Sequence, residues 1–234
     1  MTVMYKAIAA VSLACTLLPI GVAQSREPGW VNISRGDLCV TEGAVEEASG
    51  GRLSVDVPKM RAYANLATSP SAEIRFSYGG GTKNESALGS GQMRRQFGLK
   101  MRAQDPCNLV YVMWRVDPEP KLVVSVKRNP ADHTSAQCGN RGYTNIKPRK
   151  SSPVPRLQPD ESQTLRAEMQ GDELRVFVDN REVWEGSVGA DAASLEGPVG
   201  IRSDNVRFEF ELKARKSNGT SGEHANPCKA GDSD

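Results

Sequence analysis

The fold is decided by residues 164–212, TLRAEMQGDELRVFVDNREVWEGSVGADAASLEGPVGIRSDNVRFEFEL. Apolar side chains occupy every second position in three runs of this stretch, residues 165–169, 174–178 and 206–212, with mostly polar side chains between them. An alternation with a period of two puts one face of a strand on a core and the other in water, as in an antiparallel sheet. These residues therefore predict antiparallel β-structure.

Two-residue turn signals separate consecutive runs. Gly171-Asp172 lies between the first run and the second, and Asp179-Asn180 follows the second. Gly, Asn and Asp tolerate positive φ, which tight hairpin turns require. Consecutive strands are therefore predicted to pair as hairpins.

The succession of strand, turn at Asp179-Asn180, strand and then GPVGIRSDNVRFEFEL, residues 197–212, resembles the C-terminal half of concanavalin A-like (laminin G-type) jelly-roll domains. The resemblance implies an all-β fold, a two-sheet antiparallel jelly-roll β-sandwich. That superfamily includes lectins, glycoside hydrolases and polysaccharide lyases, so the resemblance indicates the fold and leaves the chemistry open.

Residues 1–23 are predicted to be an export signal. Lys6 supplies a basic start, an apolar run follows it, and small residues stand where a signal peptidase cleaves. The run is too short for a convincing membrane span. A lipoprotein anchor at Cys15 is the alternative. We expect a secreted or periplasmic protein without a transmembrane segment.

The length after the leader suits one domain. We expect residues 24–216 to form a single jelly-roll domain and residues 217–234, which are small and polar, to form a flexible tail. Nothing in the sequence indicates the oligomeric state.

Four cysteines follow the leader, Cys39, Cys107, Cys138 and Cys228. An even number in an oxidising compartment predicts two disulfides, and four cysteines allow three pairings. We expect Cys107–Cys138, near the two ends of one strand pair, and Cys39–Cys228, which would join the termini. A zinc site is not expected, because the chain has no C-x-x-C motif and only two histidines.

Three consecutive alternating segments, residues 96–102, 108–116 and 121–128, are predicted to be strands with a basic outer face. Their parity points the following side chains inward: Phe97, Leu99, Met101, Val110, Val112, Trp114, Val116, Leu122, Val124 and Val126. If the strands are neighbours, the outer face presents a candidate ligand-binding set in which basic residues surround a tyrosine: Lys100, Arg102, Tyr111, Arg115 and Lys127.

The charge of the chain is segregated along the sequence. Residues 94–150 contain twelve Lys or Arg and four Asp or Glu, a net charge of +8, whereas the other residues from 24 onward contain seventeen and twenty-four, a net charge of −7. A surface of one sign concentrates a partner of the opposite sign. The alternative is a solvated face balanced by acidic strands beside it. Nucleic acid is not expected for an exported jelly roll with a pI of only ≈ 8.3.

Signatures of catalysis are weak. A glycosidase needs two carboxyl groups across the scissile bond, and no E-x-D-x-x-E strand or G-x-S-x-G elbow occurs. The polysaccharide lyases of the resembled superfamily use Tyr or His beside Arg, Gln or Lys, which makes Tyr111, supported by Gln96, a candidate base. The alginate-lyase motifs are absent. Whether the protein is an enzyme stays open, with the balance against it.

Other signals have ordinary explanations. The glycine-rich residues 79–91 form either a binding loop or a mobile one. No cofactor is expected. Asp179-Asn180 and Asp204-Asn205 could join a Ca²⁺ site, although their turn positions already account for them. Trp184, next to a hairpin, is a candidate for an exposed sugar-stacking platform.

The sequence therefore predicts a secreted, lectin-like jelly roll that binds a polysaccharide or other glycan on its basic strands, with a preference for an anionic one. A polysaccharide lyase or glycoside hydrolase of the same fold is the first alternative. A non-catalytic envelope module that docks another protein is the second.

Overall fold

A computed structural model describes residues 29–217. The predicted leader, Cys15, Cys228 and residues 218–234 of the predicted tail lie outside the described residues. Two short 3₁₀ turns, Arg35–Asp37 and Ser49–Gly51, and two short helices, α1 (Ser135–Cys138) and α2 (Ala190–Ala193), occur in the described part.

Strands make up most of the described chain. In chain order they are β1 (Trp30–Ile33), β2 (Leu38–Glu42), β3 (Glu46–Glu47), β4 (Leu53–Val55), β5 (Lys59–Ala64), β6 (Thr68–Gly81), β7 (Arg95–Asp105), β8 (Asn108–Asp117), β9 (Lys121–Lys127), β10 (Tyr143–Asn145), β11 (Lys150–Ser151), β12 (Ser162–Gln170), β13 (Glu173–Val178), β14 (Arg181–Ser187), β15 (Gly200–Asp204) and β16 (Val206–Lys216).

The strands form two antiparallel sheets that pack face to face. Sheet 1 has the order β11-β14-β13-β12-β6-β16-β4-β3, and β1 also pairs with β16. Sheet 2 has the order β10-β9-β8-β7-β15-β5-β2. The predicted all-β, two-sheet jelly-roll sandwich is confirmed, and the three basic strands are neighbours in sheet 2.

The inward faces of the two sheets share one hydrophobic core. Phe76 of sheet 1 meets Phe97 and Trp114 of sheet 2 edge-on, with ring centroids 4.6 Å and 5.6 Å away, a favoured geometry for aromatic pairs. All three rings are fully buried, and burial of one such side chain contributes about 1.5–3 kcal/mol. The parity assigned to β7 and β8 is confirmed.

Two tight turns connect β12, β13 and β14. Asp179 and Asn180 have φ +48° and +63°, the arrangement that a two-residue hairpin with two left-handed positions requires. In the other turn Gly171 has φ +60°. The Asp179 carboxylate accepts a hydrogen bond of 2.8 Å from the Thr164 amide. Both predicted hairpins are present.

A disulfide joins Cys107, beside the start of β8, to Cys138 at the end of α1, with the Cα atoms 5.8 Å apart. This predicted pairing is confirmed. Cys39 is also disulfide-bonded, and its predicted partner, Cys228, lies outside the described residues. The Cys107–Cys138 bond ties residues 128–142 to sheet 2.

The expectation that Trp184 is an exposed sugar-stacking platform is wrong. Its side chain is 3% exposed and belongs to the core, because it lies on the inward face of β14 opposite buried Val176 of β13. Proximity to a hairpin therefore did not decide its exposure. Among the described residues, no helix is long and apolar enough to cross a membrane.

Gly98 yields a stability prediction. It lies in β7 between Met113 of β8 and Arg202 of β15, where a Cβ would overlap the Val112 carbonyl oxygen and lie 2.8 Å from the Met113 Cα. Gly98→Ala should therefore lower the free energy of unfolding by about 1–3 kcal/mol, the usual cost of forcing extra atoms into packed structure. Denaturant unfolding at neutral pH measures the change.

Gly36→Ala is the matched control. The nearest atom to a Cβ at Gly36 is 3.8 Å away, so its free energy of unfolding should stay within about 0.5 kcal/mol of wild type. Equal stability of the Gly98→Ala and Gly36→Ala proteins would show that β7 and β8 are not closely packed at Gly98.

Candidate functional site: a basic groove on the outer face of sheet 2

The outer face of sheet 2 presents two rows of side chains across its strands, and most of these side chains are polar. The antiparallel registers of β8, β7, β15 and β5 place one row in the order Met113, Gly98, Arg202 and Arg61. The next row, two residues further along each strand, follows the order Arg115, Gln96, Asp204 and Lys59. These rows form the floor of a groove.

Residues 82–94, which follow β6, form one wall of the groove. The Ser86 amide donates to Asn205 Oδ1 at 2.9 Å, and Asn205 Nδ2 donates to the carbonyl oxygens of Ser86 (2.8 Å) and Arg94 (2.9 Å). Asn205 is fully buried at the end of β15. Residues 82–94 are therefore held against sheet 2 at Ser86 and Arg94.

Residues 128–142 form the opposite wall. Asn108 Oδ1 accepts hydrogen bonds of 2.9 Å from Arg128 Nη1 and the Asn129 amide, and the Cys107–Cys138 disulfide fixes the far end of the segment. A Cβ at Gly89 would overlap the Asn140 side chain. The two walls therefore meet above the floor.

Two adjoining cavities, of ≈ 280 Å³ and ≈ 330 Å³, lie between these walls. We call them together the basic groove. Residues from both walls and from the floor line both cavities: Leu88, Gly89, Tyr111, Asn140, Tyr143 and Arg202. The shared lining shows that the cavities are two ends of one groove.

A buried ion network underlies the floor. Asp204 is 0% exposed and accepts hydrogen bonds from Arg61 Nη2 (2.6 Å), Gln96 Nε2 (2.7 Å) and Arg202 Nε (2.9 Å). Burial by itself would raise the pKa of the Asp204 carboxyl, but the charges of Arg202 and Arg61 and the Gln96 hydrogen bond outweigh it and hold that pKa well below its ordinary value.

The same network fixes Arg202 as a cation. Burial by itself would lower the pKa of its guanidinium, but the neighbouring Asp204 carboxylate, together with Tyr111 and Tyr143, raises that pKa well above its ordinary value. The Arg202 side chain keeps 13% of its surface exposed, on the side that lines both cavities.

Two tyrosines flank Arg202. The rings of Tyr111 and Tyr143 stack with centroids 5.9 Å apart, and the Arg202 guanidinium lies 5.0 Å from the Tyr111 ring centroid. Arg202 Nη1 lies 3.4 Å from the Tyr143 hydroxyl, and Lys127 Nζ lies 5.2 Å from the Tyr143 ring centroid. Tyr143 is 40% exposed, so the groove offers an aromatic surface beside fixed cations.

The lining of the groove is predominantly basic. One acidic residue, Glu42, lines it, and Asp204 lies beneath its floor. Six basic residues line it: Lys59, Arg61, Arg94, Arg115, Lys127 and Arg202. The two carboxylates offset two of the six positive charges, so an excess of positive charge faces the groove.

Three of the five predicted ligand-binding residues line this groove, namely Tyr111, Arg115 and Lys127. Tyr111 and Lys127 are more covered than expected, at 4% exposed each. The two walls cover the strand face that we expected to be open to water. The catalytic role considered for Tyr111 stays a prediction.

The other two predicted residues do not line the groove. Lys100 is on the outer face but 0% exposed, because its ammonium lies 3.8 Å from the Tyr63 ring centroid. Arg102 has φ +48° at an irregularity of β7 and donates from Nη1 to the Leu195 carbonyl at 3.0 Å. The expectation that both would face water beside Tyr111 is therefore wrong for Lys100, and Arg102 turns towards Leu195.

Sequence reasoning missed several residues of the groove. Arg202 and Asp204 are two apart in β15, and Arg61 lies in β5, far from both in sequence. Alternation could have placed Arg202 and Asp204 on one face, but no local signal shows that β15 lies between β5 and β7. No alternating pattern pointed to Tyr143, because β10 has only three residues and is too short to show one.

The residues considered for Ca²⁺ have other partners. Asp204 is bonded to two arginines, and Asp179 caps the Thr164 amide. Within residues 29–217, no group of three or more His, Cys, Asp or Glu side chains is arranged to hold a metal ion. His133 Nδ1 lies 2.9 Å from Asp105 Oδ2 in an exposed loop.

No protein-family model matches the chain, and no curated protein gives a significant match. Among solved structures, carbohydrate-binding module CBM66 from Bacillus subtilis is similar over 80% of this chain and 95% of its own, with 14% identity and a TM-score of 0.50. The carbohydrate recognition domain of Emp46p is similar over 76% and 87%, with 14% identity and a TM-score of 0.48. Crh5 transglycosylase in complex with NAG is similar over 81% and 83%, with 12% identity and a TM-score of 0.47.

At such identities the likeness to the carbohydrate-binding module concerns the fold alone. It agrees with the β-sandwich fold that residues 164–212 predicted.

The Asp204 network predicts a pH dependence of stability. Asp204→Asn leaves Arg61 and Arg202 without their shared charge, which should cost about 3–5 kcal/mol at pH 7. Because the folded-state pKa of Asp204 is depressed, its contribution is present above the unfolded-state pKa of about 3.9 and is lost as the pH falls towards the folded-state pKa. The difference between wild type and variant should therefore shrink as the pH falls below about 4. Urea unfolding at several pH values measures it.

Glu42→Gln serves as the control, because Glu42 lies 3.8 Å from Arg61 at the partly exposed edge of the network. Its effect should stay below about 1 kcal/mol at every pH. A constant difference between wild type and Asp204→Asn from pH 7 to pH 3 would contradict the assigned charge state of Asp204.

Proposed function

We propose that the chain is a secreted glycan-binding module whose basic groove prefers an anionic polysaccharide. The observation that carries the proposal is the lining of the groove, where six basic side chains and one acidic side chain surround an exposed tyrosine ring. A site of this composition is suited to a ligand that carries both negative charge and apolar ring faces.

The fold supports a glycan as the class of ligand. The similar structure from Bacillus subtilis is a carbohydrate-binding module. Because shared architecture does not transfer function, the proposal depends on the groove and takes only its ligand class from the fold.

The aromatic and basic groups have complementary roles in this proposal. The exposed part of Tyr143 offers a flat apolar surface with a polar hydroxyl at its edge. Arg115 and Arg94 lie beside it in the larger cavity and would pair with acidic substituents. Each partly exposed ion pair contributes no more than about 1 kcal/mol, so binding should be modest and should weaken with salt.

The disulfide bonds support the proposal that the protein is secreted. Cys107 and Cys138 are joined, and Cys39 is also disulfide-bonded. Structural disulfides persist in oxidising compartments, in agreement with the export signal predicted at residues 1–23.

A binding panel tests the proposal. Acidic and neutral polysaccharides are titrated against the full chain by calorimetry at low and high ionic strength. We expect measurable binding to acidic polymers that weakens at high salt, because screening shortens the reach of exposed charges, and weaker binding to neutral polymers that changes little.

Arg115→Gln should lower the affinity for the acidic polymer by up to about 5-fold. Arg181→Gln removes the same charge from the exposed β13–β14 turn of sheet 1, outside the groove, and should leave the affinity unchanged. Equal losses in both variants, or affinity that is indifferent to salt, would count against the groove as the binding site.

A further inference from the structure

Two groups of cations lie at different places in the basic groove. Arg202 lies at its centre, where both cavities share it, whereas Arg94 and Arg115 line only the larger cavity. We propose that the groove holds two negatively charged groups of one linear glycan, one at Arg202 and Tyr143 and the other at Arg94 and Arg115. This inference rests on the proposed function and specifies its ligand.

The central position is built from buried, oriented groups. Asp204 holds Arg202 through Nε at 2.9 Å, and Nη1 lies 3.4 Å from the Tyr143 hydroxyl. Among the described residues, none accepts a hydrogen bond from Arg202 Nη2. The guanidinium therefore presents a fixed donor beside a phenol hydroxyl, an arrangement suited to a carboxylate or sulfate oxygen.

The second position brings together two like charges, those of Arg94 and Arg115. Arg115 is half-buried, and within residues 29–217 its Nε is buried without a hydrogen-bond acceptor. Burial lowers the pKa of Arg115 and the like charge of Arg94 lowers it further, whereas the Glu119 carboxylate raises it in part. An anion bound at the exposed part of the Arg115 guanidinium would offset the repulsion between the two guanidinium groups.

The sheet geometry sets the separation of the two positions. Asp204 pairs with Gln96, and Gln96 pairs with Arg115, so Arg202 lies two strands and two residues away from Arg115. With strands about 4.8 Å apart and a rise of about 3.4 Å per residue, their Cα atoms are about 12 Å apart. Because the two side chains start about 12 Å apart on the sheet, we assign their anionic partners to different sugar rings of one oligosaccharide.

The experiment uses galacturonic acid and oligogalacturonates of increasing length, with neutral and sulfated oligosaccharides of matched lengths, titrated against the full chain. Tyr143→Phe and Arg202→Gln alter the central position, and Arg202→Gln leaves Asp204 bonded to Arg61 and Gln96. A double variant, Arg94→Gln with Arg115→Gln, alters the second position. Arg181→Gln is the matched control, and unfolding midpoints verify that each variant folds.

We expect Arg202→Gln to weaken the monomer and the longer oligomers alike, by about 10-fold, and Tyr143→Phe to act in the same direction with a smaller loss. The double variant should leave the monomer unchanged and weaken the longer oligomers by about 10-fold. A length dependence of this kind in the carboxylated or the sulfated series supports the inference, and the series that shows it identifies the anionic group.

Equal effects of the double variant on monomer and oligomer, or none on either, would overturn the two-position inference while glycan binding stands. If neutral oligosaccharides bind as tightly as charged ones, the two-position inference and the anionic preference both fail, and glycan binding alone stands. If no oligosaccharide of any kind binds the folded wild-type protein, the proposed function itself fails.

Discussion

One buried carboxylate holds the floor of the groove together. Asp204 of β15 bonds to Arg61 of β5 and to Gln96 of β7, so a single side chain joins three adjacent strands on their outer face. A buried carboxylate is stable only when cations and donors replace its lost hydration. The two arginines are therefore required by Asp204, and one of them, Arg202, is also the central cation of the groove.

The packing of the two sheets keeps the floor of the groove in place. The inward side of the same strands is packed against sheet 1 through Phe97 and Trp114, so the floor cannot move without disturbing the core. Asn205 and the Cys107–Cys138 disulfide hold the two walls against sheet 2. A preorganised site loses little conformational freedom on binding.

Ion pairs elsewhere explain why the positive charge collects in the groove. Arg95 pairs with Glu85 and Asp117, and Arg149 pairs with Glu173 and Glu185. Part of the positive charge of residues 94–150 is thus neutralised by Glu85, Glu173 and Glu185 from other parts of the chain. The groove keeps an excess of positive charge, because the described residues that line it include six basic side chains and one acidic side chain, that of Glu42.

Local residue pattern determined the architecture of this protein. Alternation assigned the inward positions of β7 and β8, and Asp179-Asn180 predicted a hairpin that both positive φ angles confirm, because each follows from near neighbours in sequence. Only the tertiary structure decided the site. Parity placed Lys100 correctly on the outer face, but its burial against Tyr63 and the meeting of Arg202 with Tyr143 depend on strands and loops distant in sequence. Alternation reports the side of a strand on which a residue lies; it carries no information about which segment will cover that side.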